Sequence, residues 1–435
     1  MQWILHPRIP VWVDRNLRIV LVARWTMSIA RAIASVVTAI YLAEIGFSAV
    51  EIGALFVGVT IMSAILAALI GLVADRWGRK PFLVVIPLAA AGASLVFAFS
   101  QSAGILFAAA AMGSFGRGSG AGAGNVGPYQ PAESAFIADA VSGNNRASAF
   151  GLVAFMSSLG ALAGGLLVAV IHNARGMSTG EAMLAFRPDF IAAAVFAATS
   201  GLLALLLREP VTKKASPSGK RDRVRWPVRS WSVLWRFWVT NATNGAAIGL
   251  FGPFVSYWLY RRYGASPGAV GLLFAVVNLG SLASTLVAAR IGRLMGTVRT
   301  IAVVRACTAV LLVPMVLAPT FWIASVLYFF RMLVQRIGLP LRQSFTQDMA
   351  DPSERASVAA LSNLPAQVTM AGSQVVAGYL FDEVSLASPF LLAAVFQMGN
   401  AILYAFLFAY RPPAPRPPAE PVAALLSDQE FPDLR

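Results

Sequence analysis

The chain has 435 residues, 58% of them hydrophobic and only 12% charged, with 34 Lys and Arg against 19 Asp and Glu for a net charge of +15. That much apolar surface excludes an ordinary soluble domain. A single cysteine, Cys307, excludes an internal disulfide, and no Cys/His spacing suits a metal.

A membrane-crossing helix needs about 20 apolar residues. Residues 1–16 are a basic lead-in whose Trp3 and Trp12 suit a membrane interface. The first span lies near 17–43, is too long for a cleavable leader, and is expected to remain in the protein. Its Arg24, Ser28, Arg31, Ser35 and Thr38 are spaced 4, 3, 4 and 3 apart and so share one face. In lipid such a face turns to protein or to a water-filled cavity. Arg31, near mid-span, is a candidate substrate residue, with a structural ion pair as the alternative; Arg24 lies nearer the inner boundary, within snorkelling reach.

Uncharged stretches then follow at 54–74, 147–174, 190–207, 237–260, 263–289, 306–330, 356–381 and 384–410, and 82–132 holds one charge, Arg117, over the length of two spans. With a turn between 318 and 321, the chain reads as twelve helices. The fourth span carries Arg117, the glycine-rich stretch 118–127 and Glu133, which predicts a broken or bulged helix. Glu133 is the only acid well inside a span; a carboxylate there responds to burial and to nearby cations, making it the candidate for proton coupling. A structural ion pair near the inner helix end explains it equally well. The fifth span holds Gly160, Gly164 and Gly165, small residues that permit close helix contact.

Residues 208–232 form a basic linker dividing the chain into halves 17–207 and 233–410. The seventh span offers Asn241 and Asn244 as candidate substrate ligands, then Gly249, Gly252 and Pro253 as a kink. In the tenth, Arg331, Gln335, Gly338 and Arg342 form a stripe, with Arg336 beside it; Arg331 and Arg336 are further substrate candidates. Asn363, Gln367 and Gln374 of the eleventh read as packing amides that bridge helices. The tail 411–435, with six prolines before Val422, is expected to be disordered. Of the 34 basic residues, 24 fall in tails, loops or helix ends on one side, which places both termini in the cytoplasm. The charge is therefore a membrane-side feature rather than a nucleic-acid site.

The halves repeat each other. At an offset of 218, Gly46, Ser48, Gly53, Leu55, Phe56 and Gly78 match Gly264, Ser266, Gly271, Leu273, Phe274 and Gly296. At an offset of 209, Pro131, Phe136, Asp139 and Arg146 match Pro340, Phe345, Asp348 and Arg355.

The run Gly71-Leu72-Val73-Ala74-Asp75-Arg76-Trp77-Gly78-Arg79-Lys80, on the short turn between the second and third spans, resembles the G-x-x-x-D-R-x-G-R-K loop of the major facilitator superfamily. An ordinary positive-inside loop is the alternative. Arg117 with its following glycines resembles the family's fourth-helix arginine, and Gly160–Gly165 its G-P-x-x-G-G element with Ala161 in place of proline. The resemblance implies an all-α membrane fold of two six-helix repeats. Helices 1, 4, 7 and 10 would line a cavity, and helices 2, 5, 8 and 11 would form the moving interface. It also implies a gate formed by Gly71, Asp75, Arg76, Gly78, Arg79, Asp139, Arg146, Asp348 and Arg355.

The expected function is secondary transport of a small molecule by alternating access, driven by a proton or other ion gradient, in a protein for which a monomer suffices. Four intramembrane arginines, Arg31, Arg117, Arg331 and Arg336, against one acid imply an organic anion. Efflux of lipophilic compounds is the competing substrate class, and a sensor or lipid translocator the competing kind of protein. No phosphate-binding loop or catalytic constellation is present, so neither an enzyme, a cofactor nor ATP as energy source is expected.

Overall fold

The computed structural model describes residues 12–113, 128–141, 143–175, 182–209, 229–351, 354, 358 and 361–408. Every regular element among them is helical: α1 Arg15–Glu44, α2 Ala49–Trp77, α3 Lys80–Phe99, α4 Ala103–Gly113, α5 Tyr129–Ala140, α6 Gly143–Arg175, α7 Ala182–Leu205, α8 Trp231–Phe251, α9 Val255–Tyr263, α10 Pro267–Met295, α11 Thr297–Leu317, α12 Phe321–Asp348, α13 Leu364–Glu383 and α14 Ser388–Phe408. Eight of them contain a stretch long and apolar enough to cross a membrane. The glycine-rich stretch expected to break the fourth span lies outside the described residues; α4 and α5 are its flanks. The seventh span breaks where Gly252 and Pro253 predict, as α8 passes through a 3-10 turn at Gly252–Phe254 into α9. Proline at that point has no N–H for the helix ladder.

The internal repeat appears in the backbone. Ser48 caps α2 by accepting from Glu51 N–H at 3.2 Å, and Ser266 caps α10 by accepting from Ala269 N–H at 3.2 Å. Gly78 and Gly296 end the matching helices α2 and α10 at φ +83° and +80°. Glycine adopts that region without the steric cost a side chain brings.

Helices α1–α7 pack among themselves, chiefly α1 on α6 and α7 and α3 on α7; α8–α14 do likewise, chiefly α8 on α13 and α14 and α11 on α12 and α14. The halves meet along α2–α13 and α6–α10. Gly165 and Gly271 let α6 and α10 touch backbone to backbone: a Cβ on Gly165 would stand 2.5 Å from Gly271 O. Close contacts between halves among the described residues lie toward one end, that of the α1–α2 turn. There Asp382 of α13 accepts from Ala49 and Val50 N–H at the start of α2, at 3.1 and 2.9 Å, and Tyr260 donates to Glu44 Oε1 at 2.5 Å. Toward the other end, where the linker enters and leaves, a cavity separates the halves.

Candidate substrate cavity

Among the described residues the first half holds two acids inside spans, not the single one expected: Asp189 of α7, wholly buried 2.9 Å from His172 Nε2, and Glu133 of α5, in an ion pair. Arg24 donates to Glu133 Oε2 at 2.7 Å, and both residues are almost wholly buried. Arg24 also reaches Ser157 Oγ at 3.3 Å, and Ser157 lies 3.2 Å from Ser28 Oγ. Arg24 thus sits inside the bundle as Glu133's partner, away from the membrane boundary. Gly160 and Gly164 of α6 make room for α1: a Cβ at Gly160 would stand 2.5 Å from Trp25 O, and one at Gly164 would stand 2.7 Å from Ile29 O. Arg31 lies two turns further along α1, half-buried. Arg117 lies outside the described residues.

The second half lines a cavity of about 390 Å³. Asn244, Phe251, Gly252 and Pro253 come from α8 and its 3-10 turn; Arg331, Gln335, Arg336, Leu339, Arg342 and Gln343 from α12; Gln367, Met370 and Gln374 from α13. Asn363, just before α13, and Gln397 of α14 complete that wall, and Gln130 of α5 faces it from the first half. Among the described residues three arginines and many amides line the cavity, and no Asp or Glu does. Arg331 lies over the Phe251 ring at 3.9 Å and donates to Gln335 Oε1 at 3.3 Å. Arg342 donates to Asn241 Oδ1 at 3.2 Å, and Arg305 of α11 donates to Asn244 Oδ1.

Among the sequence candidates, Asn244, Arg331 and Arg336 therefore meet at one cavity. Asn241 stands behind it, holding Arg342 and donating to Ser362 O at 2.7 Å. The eleventh-span amides expected to pack also face the cavity, and Gln374 does both, accepting from Thr60 of α2 at 3.3 Å. Gln397 was missed by sequence reasoning; its signal was the amide pair Gln397 and Asn400, three residues apart in the otherwise apolar α14.

The loop between α2 and α3 is held by an unforeseen residue. Glu209, just after α7, accepts from Arg79 N–H at 2.7 Å and Lys80 N–H at 3.3 Å. Arg79 also donates to Ala135 O of α5. Arg146 donates to Val141 O at 3.2 Å and Asp348 ends α12 exposed. The side chains of Gly71, Asp75, Arg76 and Asp139, and Arg355 as a whole, lie outside the described residues.

The Major Facilitator Superfamily family model matches residues 20–242 and 237–429, nearly the whole chain. The chain belongs to the major facilitator superfamily. It is a multi-pass membrane protein with the fold of a small-molecule transporter. Similar solved structures include a bacterial homolog of the human lysosomal transporter Spinster, inward-facing and occupied (TM-score 0.71, 14% identity, 93% of this chain and 98% of that one). A POT family peptide transporter matches with TM-score 0.69 and 12% identity over 93% of this chain and 99% of that one. The nucleoside transporter NupG matches with TM-score 0.68 and 15% identity over 92% of this chain and 100% of that one. At such identities the likeness is one of fold. No curated protein matches the chain.

Proposed function

We propose that this transporter moves a small organic anion across the cytoplasmic membrane by alternating access, coupled to protons through Glu133, with both termini and the linker in the cytoplasm. The observation that carries this reading is the cavity itself: among the described residues Arg331, Arg336 and Arg342 line it and no acidic residue does. Guanidinium groups bind carboxylate and phosphate through paired hydrogen bonds. Closure at the α1–α2 end and separation at the linker end correspond to a cytoplasm-facing state. The mirror state would exchange which end is closed. Protonation of Glu133 would release Arg24, giving the first half two arrangements for a gradient to bias. Lipophile efflux draws less support: of the seventh-span aromatics Phe251 lines the cavity, but Phe254, Tyr257 and Trp258 pack against Phe381 and Phe390 in the core.

Two experiments test this. A ligand that binds the folded state raises its thermal stability. Organic anions should stabilise the purified protein, and Arg331→Ala should remove that effect; stabilisation by lipophilic cations, indifferent to Arg331, would overturn the anion reading. In proteoliposomes Glu133→Gln should abolish uptake driven by a pH gradient while leaving substrate exchange intact. Retained gradient coupling in that variant would sink Glu133 as the proton site.

A further inference from the structure

Guanidiniums gather at two levels of the cavity wall, with Arg342 and Arg331 lining it and Arg305 standing behind Asn244. Nearer the linker end, Arg305 and Arg342 converge on α8, where Asn244 and Asn241 accept from them. These asparagines are three residues apart and share a helix face. Arg305 and Arg342 are thus drawn to adjacent turns of the same helix face. Asn241 is fixed in orientation because its Nδ2 donates to Ser362 O, leaving Oδ1 for Arg342. Deeper in, Arg331 lies on Phe251 with Gln335 beside it, and its Nε is buried without a hydrogen-bond partner among the described residues.

The partners that the described residues give Arg305, Arg342 and Arg331 are all neutral: two asparagines, a glutamine, a methionine sulfur and aromatic rings. Burying a cation without a counter-ion is costly. Drawing two guanidiniums together adds repulsion. The first half avoids both costs by giving Arg24 a carboxylate. The second half has two cationic poles that an incoming anion would complete.

We infer that the substrate is a two-headed anion, with one acidic group between Arg305 and Arg342 and the other against Arg331, joined by an apolar body. Asn244 and Phe251 are seven residues apart on α8, about 10 Å along its axis. Arg331 and Arg342 are eleven apart on α12, about 16 Å. Both arginines of α12 lean toward its N-terminus, so the gap between the poles stays at roughly 10–16 Å. Met332, Leu339 and Met370 flank the space between and suit an apolar spacer, while Arg336 and Gln367 on the same wall admit a polar group along it. The class is an α,ω-dianion: a dicarboxylate, or a carboxylate bearing a phosphonate or phosphate at its far end. This rests on the cavity being an anion site, and adds a second head and a spacing.

The test is calorimetric titration of the full-length purified protein with dicarboxylates of about eight to fourteen carbons, matched to that gap, each beside its monomethyl ester and the diamine of equal length. Diacid affinity should peak within the series and exceed that of the monoester by at least about tenfold. Arg342→Gln and Arg331→Gln should each bring the diacid down to the level of its monoester while changing the monoester little. Phosphonocarboxylates of matching length, if preferred, would assign the phosphorus head to the Arg305–Arg342 pole and support the same inference. Monoesters binding as tightly as diacids at every length would overturn the two-headed substrate and leave the anion site standing. Binding of diamines with no binding of any acid would overturn both. Should Arg342→Gln fail to fold, Asn241→Ala releases Arg342 without removing its charge. It should lower the diacid-to-monoester preference about three- to tenfold. An equal loss for both ligands would count against the inference.

Discussion

Arg24 and Arg331 are both nearly inaccessible arginines on cavity-side helices, one in each half, yet they are solvated in opposite ways. Arg24 meets Glu133 at 2.7 Å and two serines lie close by. Arg331 meets an aromatic face, an amide and a sulfur. The Arg24 site is electrically closed, and the Arg331 site holds positive charge ready for a partner. The difference separates a residue pair suited to switching from a residue set suited to binding.

The sharpest way to break this comparison is to remove one residue from each site. Glu133→Ala strands Arg24 inside the bundle and should cost about 3–5 kcal/mol of stability, because a buried pair that loses one member leaves an uncompensated charge. Arg331→Met removes a charge lacking a protein counter-ion, so stability should stay within about 1 kcal/mol of the parent or rise, while anion binding is lost. Thermal unfolding of both variants in one detergent checks the contrast. Equal destabilisation would show that Arg331 is as structurally satisfied as Arg24.

A second effect, of middle size, concerns the interface that must open if the halves rock. Gly165→Val places a side chain where Gly271 O now sits 2.5 Å from the Cβ position. Overpacking of this kind costs about 1–3 kcal/mol, and here it falls on the closed contact alone. Spin labels at Phe47 and Glu383, on a Cys307→Ser background, should move apart in Gly165→Val. An unchanged distance would mean that α6 and α10 adjust without separating the halves.

These contrasts were unequally legible in the sequence. The all-helical membrane fold, the internal repeat and the break at Gly252 and Pro253 follow from chain-local chemistry: apolar length, helix caps and the missing proline N–H. The Arg331–Gln335 stripe was legible too, because helical spacing alone puts both on one face. The partner of Glu133 was not, since Arg24 lies 109 positions away and several arginines competed for it. Nor could periodicity show that Asn241 holds Arg342, or that the eleventh-span amides face open space instead of a neighbouring helix. Those facts depend on how the two halves tilt. Glu209 carried no signal at all beyond being an acid at the edge of a basic linker.

The smallest expected effect contrasts the two carboxylates that flank the linker. Glu209 follows α7 and caps α3 through Arg79 and Lys80 N–H, while Glu354 precedes α13 and caps α8 through Arg229 N–H at 3.2 Å and Ser230 N–H at 2.8 Å. Each acid ties the start of a helix to a neighbouring loop on the linker side, where helix N-termini favour negative charge. Some desolvation raises the Glu354 carboxyl, but hydrogen bonds from Ser230 and Arg229 outweigh it and hold the group below the ordinary carboxylate value of 4.5. A depressed carboxyl is more often ionised in the folded state than in the unfolded one. Its contribution is therefore present above the ordinary carboxylate range and fades as pH falls through the depressed value. Glu354→Gln should remove a small acid-side slope from the stability curve and lower stability at neutral pH modestly, since the single amide oxygen still accepts from one of the two N–H groups. Glu209→Gln, by loosening the turn that carries Gly78 and Arg79, should instead alter transport rate more than stability. Flux in proteoliposomes set beside pH-dependent unfolding of the two variants separates a cap that only holds a helix from one that also holds a gate.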